Sequence, residues 1–161
     1  MLSFERIVPR VSGRVLVAGG IGPALLPRVL RAARDLGCDA RLDAPDRLVL
    51  ESGASGRYSP LSFVDGGTIW SATEGGAAVL RYDLSTTGAF LLCAGLSPVA
   101  AGLAWFGTGD PGLTAFGLLA PPLWLYGANL VIARARMPGW LGHLCREAAP
   151  ADPVPRRAAP E

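Results

Sequence analysis

The sequence predicts an α+β fold: a small antiparallel sheet with one helix, in the order β-α-β-β-β-β, followed by a two-helix transmembrane hairpin. Three observations carry this. Residues 14–37, RVLVAGGIGPALLPRVLRAARDLG, read as strand, glycine loop and amphipathic helix. Residues 39–84 hold four short runs of strand-forming residues, two pairs each joined by turn residues. Residues 86–107 and 113–133 carry no charge at all, and each is about as long as the twenty apolar residues that cross a bilayer core of roughly 30 Å.

The helix comes first. Leu26, Val29, Leu30, Ala33 and Leu36 recur at helical spacing and define one apolar face, while Arg28, Arg31, Arg34 and Asp35 fall away from it. Pro23 and Pro27 are tolerated only near a helix start, and Gly37 sits where a C-terminal cap belongs, so the helix is expected over 24–36. Its three arginines form a basic face that can meet an anionic headgroup layer.

The glycines before the helix are not a dinucleotide fingerprint. Gly20 and Gly22 supply the first pair of G-x-G-x-x-G, but position 25 is Leu, and no second βαβ unit follows. No GK[ST] occurs anywhere, which removes a Walker A loop. No cofactor is expected, and Gly19, Gly20 and Gly22 are read as a sharp turn from strand to helix.

Strands are expected at 39–43 and 47–52 around the turn Ala44-Pro45-Asp46, and at 68–73 and 77–84 around Glu74-Gly75-Gly76. Residues 52–67 between them are loop. In the last strand Leu80, Tyr82 and Leu84 make one apolar face. One helix on one face of such a sheet is a compact solution. The strand then runs almost directly into the first span.

Only 17% of residues are charged although half are hydrophobic, against about a quarter charged in ordinary soluble domains. Between Asp83 and Arg134 the single charge is Asp110. A charge at mid-span costs on the order of 3 kcal/mol, so two uncharged runs of this length point to lipid. Asp110, Pro111 and Gly112 make the turn of the hairpin. That loop has no arginine, whereas Arg81 precedes the first span and Arg134, Arg136 and Arg146 follow the second. The excess of basic residues marks the cytoplasmic side. The expected location is therefore the cell inner (plasma) membrane, multi-pass, with both termini cytoplasmic. Three scattered cysteines, Cys38, Cys93 and Cys145, suit the same reducing side.

Within the spans, Gly88, Gly95 and Gly102 recur every seven residues and form a stripe for close helix packing. It serves either the second helix of the same chain or another protein. Pro121 and Pro122 should kink the second span. Asn129 is its most polar side chain and is expected to bond across helices.

The domains expected are a cytoplasmic α+β domain over 1–85, the hairpin over 86–133, and a cytoplasmic interfacial helix with a disordered tail over 134–161. Trp140, Leu141 and Leu144 would be the apolar side of that interfacial helix.

These observations favour a non-enzymatic membrane protein that presents its soluble domain as an adaptor, assembly or regulatory subunit. Its partners would be the lipid bilayer and another membrane protein or a second copy of the chain. A net charge of +2 gives no reason to expect nucleic acid. One alternative is a membrane enzyme acting on a lipid-linked substrate, which needs Arg81, Asp83, His143 and Glu147 around one cleft. Another is a small transporter or pore subunit lined by Asn129 and the proline kink.

Overall fold

The computed structural model describes residues 9–18, 20–51 and 59–148. Gly19 of the glycine loop and the tail beyond residue 148 lie outside the described residues. The elements are β1 (Arg10–Leu16), α1 (Leu25–Asp35), β2 (Ala40–Ala44), β3 (Arg47–Leu50), β4 (Gly66–Glu74) and β5 (Ala77–Ser85), then α2 (Thr87–Thr108), α3 (Pro111–Ala120), a π-helical segment (Pro121–Tyr126) and α4 (Gly127–Ala148).

The five strands form one antiparallel sheet in the order β1-β5-β4-β3-β2. The glycine pair Gly75 (φ +57°) and Gly76 (φ +81°) closes the β4–β5 hairpin, as two-residue turns matching the sheet twist require positive φ. α1 ends where Gly37 takes φ +82°. There the Gly37 and Cys38 amides donate back to Arg34 and Ala33, satisfying the last carbonyls of the helix. Leu25, Leu26, Val29 and Ala33 point into the core. They meet Leu48, Leu50, Ile69, Leu80, Tyr82 and Leu84 from one face of the sheet.

α2 follows β5 after the single residue Thr86. It turns back through Gly109 (φ +66°), whose amide donates to the Trp105 carbonyl. Asp110 then caps α3, accepting from the Gly112 and Leu113 amides at 2.6 and 3.3 Å, with Pro111 as its first residue. α2 and α3 pack closely at Gly117, where a Cβ would stand 2.9 Å from the backbone of Ala100 and Ala101. By length and composition α2 and the helical run from Pro111 to Ala148 are both able to cross a membrane. Their outward side chains are large and apolar, with Phe106 91% and Trp124 75% exposed.

Pro121 and Pro122, expected to kink the second span, do not end the helix. Lacking N–H donors, they are taken up in the π-helical segment, and the helix continues. The short interfacial helix after residue 133 is not a separate element either. The run Pro111–Ala148 is 38 residues long, so at 1.5 Å per residue it extends roughly 57 Å, against about 33 Å for α2. The overhang lies against β1 and α1. Met137, Leu141, Leu144 and Cys145 recur on one face and are buried in the core of the sheet domain, with Trp140 beside them. The apolar face read as a membrane-surface stripe is the second wall of the sheet domain's core, because the sheet leaves room beside α1 for another helix.

Candidate functional site

A group of polar contacts lies where the hairpin meets the domain. Thr86, 1% exposed, donates its hydroxyl to the Pro9 carbonyl at 3.1 Å, so its 2.8 Å bond with Tyr126 has the Tyr126 phenol as donor. The Tyr126 ring lies edge-on to Phe90, centroids 5.3 Å apart. Asp65 accepts from the Gly88 amide at 2.5 Å, placing a carboxylate at the positive end of α2. Residues 59–65 form a compact turn, with the Ser62 hydroxyl donating to the Ser59 carbonyl and the Leu61 amide to the Ser59 hydroxyl.

This turn and the second helix enclose two adjoining pockets that share Phe63 and Asn129. The one toward the hairpin is about 310 Å³ and includes Asp65, Gly88, Leu92, Cys93, Leu125 and Tyr126. The one toward the domain is about 200 Å³ and includes Ser59, Pro60, Ile132, Ala133 and Arg136. On the helix side the lining residues Leu125, Asn129, Ile132 and Arg136 recur at helical spacing, so one helix face grades from apolar to cationic.

The residues singled out from the sequence scatter around this trough. Gly88 lies in it, where a Cβ would meet the Asp65 carboxylate at 2.7 Å, but Gly95 and Gly102 have open space beside them. The stripe therefore does not pack on the second helix of this chain; Gly117 makes that contact instead. Asn129 donates to the Leu125 carbonyl at 2.5 Å on its own helix rather than across helices. Its spacing of four residues lets the amide reach back one turn. Pro121 and Pro122 lie in the π-helical segment, on the hairpin side of the trough. Of the arginines on α1, Arg34 donates to the Ala40 carbonyl at 3.0 and 2.8 Å and braces the α1–β2 loop. Arg31 is exposed and Arg28 half-buried.

Arg81, Asp83, His143 and Glu147 do not converge. Arg81 and Asp83 alternate with Leu80, Tyr82 and Leu84 and so lie on the sheet face away from α4. There Arg81 pairs with Glu74, and Asp83 with Arg10 at 2.9 Å. His143 pairs with Glu147 one turn along α4 at 3.1 Å, both well exposed. Arg14 adds a 2.6 Å bond to Glu74. Hydrogen bonds from Arg14 and Arg81 hold the Glu74 carboxyl below the ordinary glutamate value. Burial pushes the Cys38 thiol up, which keeps it protonated and unreactive. Among the described residues no group of three His, Cys, Asp or Glu is placed to hold a metal ion.

Asp65, Ser59 and Phe63 were not identified from sequence. They come from a loop that meets Gly88 23 positions on and the second helix farther still, and only the fold brings these together. Comparison of the chain with protein-family models, with curated proteins and with solved structures finds no match.

Proposed function

We propose that this chain is a multi-pass integral membrane protein of the cell inner membrane that carries its α+β domain on the cytoplasmic face, as a non-enzymatic adaptor, assembly or regulatory subunit. The observation that carries the reading is the second helix. It leaves an exposed apolar hairpin and continues into the domain core through Met137, Leu141 and Leu144, so the domain is held rigidly at the membrane surface rather than on a linker. Arg134 and Arg136, just beyond the apolar run, support the cytoplasmic placement, as does the absence of arginine from the Thr108–Gly112 turn. Open space beside Gly95 and Gly102 supports a helix from another chain as the partner.

The test is extraction followed by topology mapping and mass measurement. The full chain should stay in carbonate-washed membranes. A cysteine at Gly112 should be labelled only from outside the cell, and one at Arg31 only after permeabilisation. Native mass spectrometry from nanodiscs should then show a second copy or a stoichiometric foreign protein. Release by carbonate, or labelling of both positions from one side, refutes the membrane reading. A bare monomer refutes the subunit reading.

A further inference from the structure

We propose that the free edge of β1 pairs with an extended segment of a partner protein, one that carries carboxylates at the alternate positions beside Arg10 and Arg14. This rests on the reading of the chain as an adaptor or assembly subunit and gives its partner a chemistry.

The register defines the edge. The Thr86 amide donates to the Pro9 carbonyl at 3.0 Å, and the Val17 amide to Ala78 at 2.9 Å. Bonded and non-bonded pairs alternate along an antiparallel ladder, so the odd-numbered residues of β1 bond to β5. Arg10, Ser12, Arg14 and Leu16 turn their N–H and C=O groups the other way. Among the described residues no strand pairs with that side. All four residues are exposed, Leu16 to 71%. The strand has seven residues, no proline and no register shift, which makes roughly 23 Å of regular edge.

The opposite edge of the sheet is blunted. β2 has five residues and a register shift after Leu42. The Glu51 amide donates to the Asp39 carbonyl, so the Ala40 carbonyl turns outward, and Arg34 caps it. Shortness, bulges and covered groups are how edges avoid pairing. β1 has none of these; α4 packs on its core face and leaves the edge open.

The side chains select the occupant. Ser12 stands opposite Asp83 and Arg14 opposite Arg81, so Arg10, Ser12, Arg14 and Leu16 share the open face of the sheet. There Arg10, Arg14 and Arg81 have only the carboxylates of Asp83 and Glu74 as ion-pair partners, which leaves the strip net positive. Arg10 and Arg14 each reach inward through one nitrogen, Nη1. A guanidinium has five N–H donors, so both have donors left for a carboxylate on the outer side. A second copy suits this edge poorly. In every symmetric antiparallel register that overlaps most of β1, an arginine stands opposite or diagonal to another, and like charges so placed are destabilising. A nucleic acid suits it poorly too. It lacks alternating N–H and C=O groups at strand spacing, and Asp83 and Glu74 repel its phosphates. An added strand draws affinity from its backbone bonds and specificity from alternate side chains.

The experiment uses the full chain in nanodiscs and a fluorescent, end-capped heptapeptide alternating Glu and Val, with a Lys–Val peptide of equal length as control. Anisotropy reads binding, and hydrogen exchange reads its place. The Glu–Val peptide should bind roughly fivefold more tightly than the control, the scale of exposed ion pairs. It should slow exchange at the Ser12 and Arg14 amides and leave Leu42 unchanged. Ser12→Pro removes an outward N–H and spares the β1–β5 bonds; it should weaken binding about tenfold, the scale of one or two hydrogen bonds. Arg14→Gln should weaken binding about threefold, and Arg31→Gln not at all. Unfolding midpoints matching the wild type show that the variants are folded; if Ser12→Pro does not fold, protection of the Ser12 and Arg14 amides decides. No binding, equal binding of the two peptides, or binding without protection of those amides overturns the proposal. If a single-stranded oligothymidylate binds with the same dependence on Ser12 and Arg14, the partner is a nucleic acid and the proposal fails. It also fails if native mass spectrometry shows a dimer that Ser12→Pro dissociates, because the occupant is then a second copy. Release of the chain by carbonate removes the membrane reading itself. Stable insertion without peptide binding removes this inference alone.

Discussion

Leu141→Ala tests the most consequential feature of the fold, the burial of α4 in the sheet domain. Leu141 is 0% exposed and belongs to the core cluster. The substitution removes three carbons, worth about 2.4 kcal/mol of transfer free energy at ~0.8 kcal/mol each. The site is walled by α1, β1 and α4's own turns, all held at other points, so it cannot collapse fully. The residual cavity raises the cost to roughly 3–4 kcal/mol. Hydrogen exchange of β1 and β5 amides, with the full chain in mild detergent, reads this out. A loss of 3 kcal/mol raises the population of the open state about 100-fold. The same measurement on Phe106→Ala, truncating a side chain 91% exposed on the hairpin, should move those amides by less than about 0.5 kcal/mol. If Leu141→Ala changes β1 and β5 protection as little as Phe106→Ala does, α4 is not part of the domain core and the rigid attachment of domain to hairpin is wrong.

Gly117→Val should separate α2 from α3 and cost roughly 1–3 kcal/mol in a detergent-unfolding assay of the hairpin, because even a Cβ there stands 2.9 Å from backbone atoms. Gly102→Ala, with open space, should be silent in the isolated chain; equal effects of the two would refute the packing described. Gly67→Ala should lower the thermal midpoint of the domain, since φ is +148° and a Cβ would lie 2.4 Å from the Asp83 carbonyl oxygen. A midpoint that does not fall would contradict this close approach. Tyr126→Phe removes the phenol that donates to Thr86 and should cost about 1 kcal/mol, seen as faster exchange at the start of α2. Glu74 has a folded pKa below its ordinary value near 4.5. Its contribution is therefore complete above that pH and is lost as pH falls through the lower folded value. Glu74→Gln should flatten the acid limb of a stability–pH profile below 4.5, and an unchanged limb would show that the paired arginines do not act on it.

Much of the fold could be read in the residues because local and global signals agree there. The helix expected over 24–36 is α1 over Leu25–Asp35, and the ends of the last two strands fall within two residues of expectation. Glycines at 37, 75 and 76 fall where positive φ is needed, and turn chemistry of this kind is local. The second helix was misread at its C-terminal end for an equally physical reason. Arg134 and Arg136 look like the end of a span, and Pro138, Gly139 and Gly142 lie inside the continuing helix. Burial of Met137, Leu141 and Leu144 outweighs those weak propensities. The glycine stripe was legible as a pattern but not as a contact, since periodicity gives a face and not its partner. The trough was not legible at all, because it depends on residues 59–65 reaching Asn129 and Arg136.

The position of α4 in the core also sets an order of events during synthesis. The sheet strands are complete once residue 85 has been made, yet one wall of their hydrophobic core is the last helix, ending at Ala148. At elongation rates of 5–20 residues per second the wall arrives roughly 3–13 s after the strands it must cover. In that interval α1 lies over β2 and β3, but the apolar face of β1 lacks Leu141 and Met137, and α2 is already apolar chain outside the ribosome. Maturation of the sheet domain therefore waits on the hairpin turning back, and a chain whose second helix is delayed or misdirected is left with an open sheet face, a ready substrate for chaperones and quality-control proteases.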